Sequence, residues 1–133
     1  MVDVTVSEGR VLMTGVVRDE ESAKNAVNIA WKNEDVKEVI DEIQLVKKFR
    51  IFRSSGQYLK DTIITSNIQS KLLFTKNIAS INYEVITVNN IVYLLGIANS
   101  NAELNKVSNI AAKVSGVNRV VSHVILQNDG RRG

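Results

Sequence analysis

Apolar and polar positions along the chain change period in a fixed order, and they do so twice. Residues 3–6 and 11–17 carry apolar side chains at strand-like intervals, the pattern of chain with one face turned to a core. Ala23, Ala26, Val27, Ile29 and Ala30 then follow at helical spacing, and residues 38–46 return to the strand period. Further on, Tyr83, Val85 and Thr87 alternate, and residues 91–97 form a returning strand. Leu104, Val107, Ile110, Ala111 and Val114 trace one helical face before residues 119–127 close the segment. Each half predicts strand, strand, helix, strand.

The two halves are copies. Placing Gly15 over Gly96, an offset of 81 residues, needs no gap for more than forty positions. Val4 falls on Val85, Val11 on Val92, Ile29 on Ile110, Ala30 on Ala111, Lys32 on Lys113, Val36 on Val117 and Leu45 on Leu126. Such self-similarity marks a repeated structural unit. Asn89-Asn90 supply residues that tolerate positive φ for a tight hairpin turn in the second copy, and Glu8-Gly9 makes the turn in the first. Ser100 with Glu103 three positions on forms a capping box, and Asp19 holds the same cap position in the first copy. A helix between second and third strands predicts that these two lie parallel, beside an antiparallel hairpin.

A lone helix shields chiefly one face of a three-stranded sheet, so a second helix is expected to cover the other. Residues 58–73 provide it for the second copy, with Ile64, Ile68 and Leu72 four apart and Asp61 or Thr62 near the start. The first copy has no counterpart, since the offset would place it before Met1. Either the numbered chain begins inside its first unit, the reading preferred here, or that unit borrows a helix. A bare sheet face would promote association.

Composition narrows the function. With no cysteine and one histidine, the sequence excludes disulfide scaffolds, thiol nucleophiles and cysteine-based zinc sites. No phosphate loop, dinucleotide fingerprint or nucleophile elbow occurs, so neither an enzyme nor a cofactor is expected. Apolar runs are far shorter than the ~20 residues of a membrane-spanning helix. Charge is distributed in blocks. Residues 1–46 hold five basic against ten acidic residues, residues 47–76 seven basic against Asp61 alone. The basic block points to anionic partners.

Three stretches of the second copy carry a family likeness: the helix from Asp61-Thr62-Ile63-Ile64-Thr65 to Leu72-Leu73, the strand Ile91-Val92-Tyr93-Leu94-Leu95-Gly96, and Val114-Ser115-Gly116-Val117-Asn118-Arg119-Val120. The first copy adds Gly9-Arg10-Val11-Leu12-Met13-Thr14-Gly15-Val16-Val17 and Asp35-Val36-Lys37-Glu38-Val39. In this order, and duplicated, they resemble the BON domain, a family of α-β-β-α-β modules. The likeness covers nearly the whole chain and is greatest to the dual-BON outer-membrane lipoproteins of Gram-negative bacteria. It implies an α+β fold of two tandem units, each a three-stranded mixed sheet packed with helices, the first lacking its opening helix. Expected boundaries are 1–46 for the first unit, 47–57 for a basic linker, 58–128 for the second unit and 129–133 for a flexible tail. Two departures stand out: the sequence shows no lipoprotein signal or acylated cysteine, and Asp35 replaces the glycine found at Gly116.

The resemblance also implies a periplasmic protein, peripheral to the outer membrane, that binds anionic phospholipid such as phosphatidylglycerol or cardiolipin and supports envelope integrity. In lipid-binding members the first helix of the second domain meets the membrane, which here designates Tyr58, Leu59, Lys60, Ile63, Asn67 and Lys71. The residues support this separately. With Ile64, Ile68 and Leu72 turned inward, Ile63 lies about 100° around the helix and faces outward near Lys60, Asn67 and Lys71. Plainer readings stand beside it: Ile63 packs under the linker or against the other unit, and Tyr58 and Leu59 form a hydrophobic staple. Phe49, Arg50, Phe52 and Arg53 are candidates for contact with an envelope protein or a second copy of the chain. Their basic-aromatic alternation also suits single-stranded nucleic acid, but no GxxG clamp or aromatic sheet platform accompanies it. His123 is expected in solvent, and Trp31 fills space in the first unit or marks a partner contact.

Overall fold

The computed structural model describes residues 2–45 and 55–132. The chain divides into two compact units, Met1–Ser54 and Ser55–Gly133, each described by itself below.

In the first unit β1 (Val2–Ser7) and β2 (Arg10–Val17) form an antiparallel hairpin in which Val4 lies opposite Met13. Glu8 and Gly9 make its turn with φ of 48° and 79°, the left-handed pair that matches strand twist in two-residue hairpins. Helix α1 (Glu20–Trp31) starts at Asp19, whose carboxylate accepts the Ser22 N–H at 2.7 Å. The sheet then continues through β3 (Glu38–Asp41) and β4 (Gln44–Leu45), both parallel to β2. Sequence periodicity predicts one unbroken closing strand over 38–46. It is instead interrupted at Glu42–Ile43, where the Asp41 carboxylate accepts the Ile43 N–H at 3.0 Å, while Glu42 N–H still bonds Met13 O at 2.9 Å.

The second unit repeats the pattern with more cover. Its hairpin is β5 (Tyr83–Val88) and β6 (Ile91–Ala98), turned by Asn89 and Asn90 at φ 52° and 66°. After α3 (Asn101–Lys113), β7 (Arg119–Leu126) runs parallel to β6 without a break. Gly96 is required where β6 passes Tyr83: its φ is 147° and an added Cβ would lie 2.1 Å from Asn82 O. Ser100 caps α3 by accepting the Glu103 N–H at 3.1 Å, and the Glu103 carboxylate turns to the buried Tyr83 hydroxyl, which donates to it at 2.6 Å. Residues 129–132, expected to form a loose tail, carry a 3₁₀ turn tied back by Arg132 Nη1 to Gln127 O at 2.8 Å.

Helix α2 (Ser55–Leu73) completes this unit. It starts three residues before the expected boundary, so Ser55, Gly56 and Gln57 belong to the helix and not to a linker. The expectation that it covers the face opposite α3 is corrected. Ile64, Ile68 and Leu72 share one core with Val107, Ala111 and Val114 of α3 and with Tyr83, Val85, Val92 and Leu94 of the sheet, so both helices lie on one face. A helix is about 10 Å wide and strands lie about 4.8 Å apart. With α3 over β6 and β7, β5 stays open until α2 fills the remainder.

The first unit keeps that place open. Among the described residues α1 is its one helix, and a cavity of about 570 Å³ lies beside it, lined by Val2, Val4, Val6, Met13, Ala26 and Ile29 among others. Val4 is 57% exposed, whereas Val85, its counterpart under α2, is 7% exposed.

Candidate functional site

The rotation of α2 decides which of its side chains meet solvent, and a buried carboxylate fixes it. A hairpin turn with two left-handed residues points consecutive N–H groups away from the ladder, where each needs an acceptor. Asp61 supplies both: Oδ2 accepts from Asn89 N–H at 2.8 Å and Oδ1 from Asn90 N–H at 2.9 Å. Gln57 Nε2 donates to Asp61 Oδ1 at 2.8 Å and to Asn90 Oδ1 at 2.9 Å. Farther along, the Thr65 and Thr87 hydroxyls bond at 2.8 Å. Asp61, expected with Thr62 as the alternative near the helix start, lies in the second turn, buried, and clamps the helix to the β5–β6 hairpin. Gly116, at φ +94°, lets Ile64 close against the loop after α3, its nearest carbon 3.2 Å from where a Cβ would stand. Among the described residues of the first unit no such helix side chain arrives, and Asp35 makes the equivalent turn outside the left-handed region.

With the inner face fixed, all six residues expected to meet lipid are exposed: Tyr58, Leu59, Lys60, Ile63, Asn67 and Lys71. Ile63 is 51% exposed. At 100° per residue Leu59, Ile63, Asn67, Ser70 and Phe74 fall on one outward stripe, with Lys60 and Lys71 along its flank. No carboxylate occurs in the sequence between Asp61 and Glu84, so Lys71 and Lys76 are the charged residues of that stretch.

Three apolar residues at the far end of this surface escaped the sequence reading: Leu73, Phe74 and Ile81. Leu73 and Ile81 border a common hollow of about 240 Å³. For Phe74 a signal existed, since eleven residues from Ile63 is three helical turns. Ile81 lies in a short 3₁₀ helix (Ser80–Asn82) with no periodicity to reveal its exposure. Phe49, Arg50, Phe52 and Arg53, the candidate partner contacts, lie outside the described residues.

The chemistry elsewhere is structural. Burial, and then the hydrogen bond to Glu103, push the Tyr83 phenol well above its ordinary range. The Ser22 backbone N–H holds the Asp19 carboxyl below its usual value of 3.8. Among the described residues no cluster of three His, Cys, Asp or Glu side chains could hold a metal ion, and no helix is long and apolar enough to cross a membrane.

Known proteins are similar to this chain in sequence. The chain is 38% identical over 131 residues to a protein from the gshII 5′ region of Anaplasma centrale, spanning 98% of this chain and 85% of that one. It is 32% identical to a 21 kDa hemolysin of Actinobacillus pleuropneumoniae, over 90% of this chain and 59% of the other. It is also 32% identical to the outer membrane lipoprotein DolP of Haemophilus influenzae, over 85% and 56%. The chain thus spans somewhat more than half the length of the latter two relatives. The BON domain model matches residues 1–47 and 60–128. Two matched segments, each a strand-strand-helix-strand unit, place this chain in the BON domain family.

Proposed function

We propose that this chain is a non-enzymatic envelope protein whose second unit docks reversibly on anionic phospholipid, phosphatidylglycerol or cardiolipin, through the outward face of α2. The observation that carries the reading is that face itself: exposed Leu59 and Ile63 beside Lys60 and Lys71, on a helix whose rotation Asp61 locks. Each basic residue near an anionic surface contributes about 1 kcal/mol, and burial of one aliphatic side chain roughly 1.5–3 kcal/mol. A few such residues give weak, salt-sensitive attachment. The similarity to an outer membrane lipoprotein supports a periplasmic place beside that membrane and a part in envelope integrity. In co-sedimentation, the chain is expected to bind vesicles containing phosphatidylglycerol, to release as salt rises, and to ignore phosphatidylcholine. Ile63→Asp should weaken binding. Binding indifferent to both salt and Ile63→Asp would defeat the reading.

A second reading rests on the open groove of the first unit. Val4 and Val6 are exposed there, where the second unit seats Ile64, Ile68 and Leu72. It makes the chain a protein-interaction module that accepts a partner's amphipathic helix with apolar residues four apart. Trp31, the one tryptophan, adjoins Ala30 of the groove. Its fluorescence should shift on titration with a peptide of residues 55–75, and an unchanged spectrum with no measurable heat of binding would remove this reading.

A further inference from the structure

We infer that the end of the second unit formed by Leu73, Phe74 and Ile81 is the wedge that enters the bilayer, so that α2 meets anionic phospholipid tilted, its C-terminal end deepest. This rests on the lipid reading above and adds to it a depth, an orientation and three residues. Leu73, Phe74 and Ile81 are 63%, 84% and 91% exposed. Scattered single apolar residues on a surface need no account, but a cluster of large ones does.

The cluster is held in place. Phe74 N–H still bonds Ser70 O at 3.1 Å, which keeps the ring on the last turn of the helix, and Thr75 N–H bonds Leu72 O at 3.4 Å. Asn77, at φ 66°, reverses the chain so that Ile78 packs against the core. Ser80–Asn82 then carries Ile81 back beside Leu73, at the hollow both residues border. An exposed loop anchored on both sides by buried Leu72 and half-buried Ile78 presents its apolar tips at little conformational cost.

Charge favours an anionic bilayer as the occupant. Lys71 and Lys76 flank the cluster, and the nearest acidic residues in sequence are the buried Asp61 and Glu84 beyond the 3₁₀ turn. Phenylalanine and leucine edged by lysine is the composition of interfacial segments. Asn67 and Ser70 interrupt the outward stripe, and Ile63 lies about 16 Å back along the helix from Phe74. Leu59 and Ile63, toward the other end, are 60% and 51% exposed, so the most exposed apolar side chains gather at the C-terminal end, which sets the tilt.

The absence of cysteine makes the test direct. Ile63→Cys, Phe74→Cys and Ile81→Cys in the full chain are each labelled with an environment-sensitive fluorophore and mixed with phosphatidylglycerol vesicles. Labels at 74 and 81 are expected to shift to the blue and to resist an aqueous quencher, more so than the label at 63. Phe74→Asp with Ile81→Asp should lower vesicle affinity about tenfold or more and leave the melting temperature unchanged, since both side chains are already in water. Equal or greater depth at 63, or unaltered affinity in the double variant, would overturn the wedge while the lipid reading survives. No binding by the parent chain would overturn both.

Discussion

Val4 and Val85 occupy the same place in two copies of one unit, opposite Met13 and Leu94 in matching hairpins. One is 57% exposed and the other 7%. What separates them is α2, which brings Ile64, Ile68 and Leu72 onto the strand that the first unit leaves open. The difference marks α2 as a cover clamped onto a sheet whose hairpin, crossover helix and closing strand are common to both units. A cover held at one edge of a module is also well placed to serve as its contact with something larger. Its inner residues belong to the fold and its outer ones are free to be chosen for a partner.

Breaking the cover should divide the two units most sharply. Val85→Asp places an unpaired charge in the shared core and should abolish cooperative unfolding of the second unit, as removal of a buried partner costs roughly 3–5 kcal/mol and an isolated buried charge more. Val4→Asp, at the matching site, should change first-unit stability by no more than about 0.5 kcal/mol. Urea titration followed by residue-resolved NMR reads both. Comparable losses at the two sites would mean that the two valines are equally covered, against this account.

Loosening the clamp comes next. Asp61→Ala strips the acceptor from two backbone N–H groups and Gln57, and should cost the second unit about 3 kcal/mol. Amide exchange at Asn89 and Asn90 should accelerate well ahead of the rest of the sheet. Tyr83→Phe removes the 2.6 Å bond to Glu103 at a cost of about 2 kcal/mol. Because the Tyr83 pKa is raised above its ordinary 10.0, the stability it contributes is present below pH 10 and is lost as pH rises toward the folded value. The Phe variant should therefore lack part of the alkaline decline in melting temperature.

The smallest effect separates the two crossover helices by how they are capped. Asp19 titrates and Ser100 does not. Since the Asp19 carboxyl is held below 3.8, its contribution exists above that pH and disappears as pH falls through its folded value. Exchange protection at Ser22 should fall on acidification while that at Glu103 persists, and equal behaviour of the two amides would contradict this assignment.

Much of this could be read from sequence because the repeat supplied two independent samples of one pattern. The hairpins followed from Glu8-Gly9 and Asn89-Asn90, the helix starts from Asp19 and Ser100, and the parallel closing strands from the helix between them. Other features depended on three-dimensional context. Sequence places Asp61 only near the start of its helix, and its role as a clamp appears once the two hairpin amides are seen beside it. Both helices share a face because of strand spacing and helix width, which hydrophobic periodicity does not encode. The interruption at Glu42 was not legible: Asp41 accepts the Ile43 N–H at 3.0 Å, and Ser122 at the matching position accepts the Val124 N–H at 3.3 Å within an unbroken β7. Ile63 and its basic neighbours were legible at helical spacing. Ile81, in a turn, carried no periodic signal at all.

An NMR titration of the whole chain with anionic micelles tests the central claim most directly, because it shows where lipid touches without presupposing the site. The account predicts that perturbed amides cluster at residues 58–82, strongest at 73–81, while those of 2–45 stay in place. Perturbation centred on the first unit's groove, or none at any residue, would contradict it.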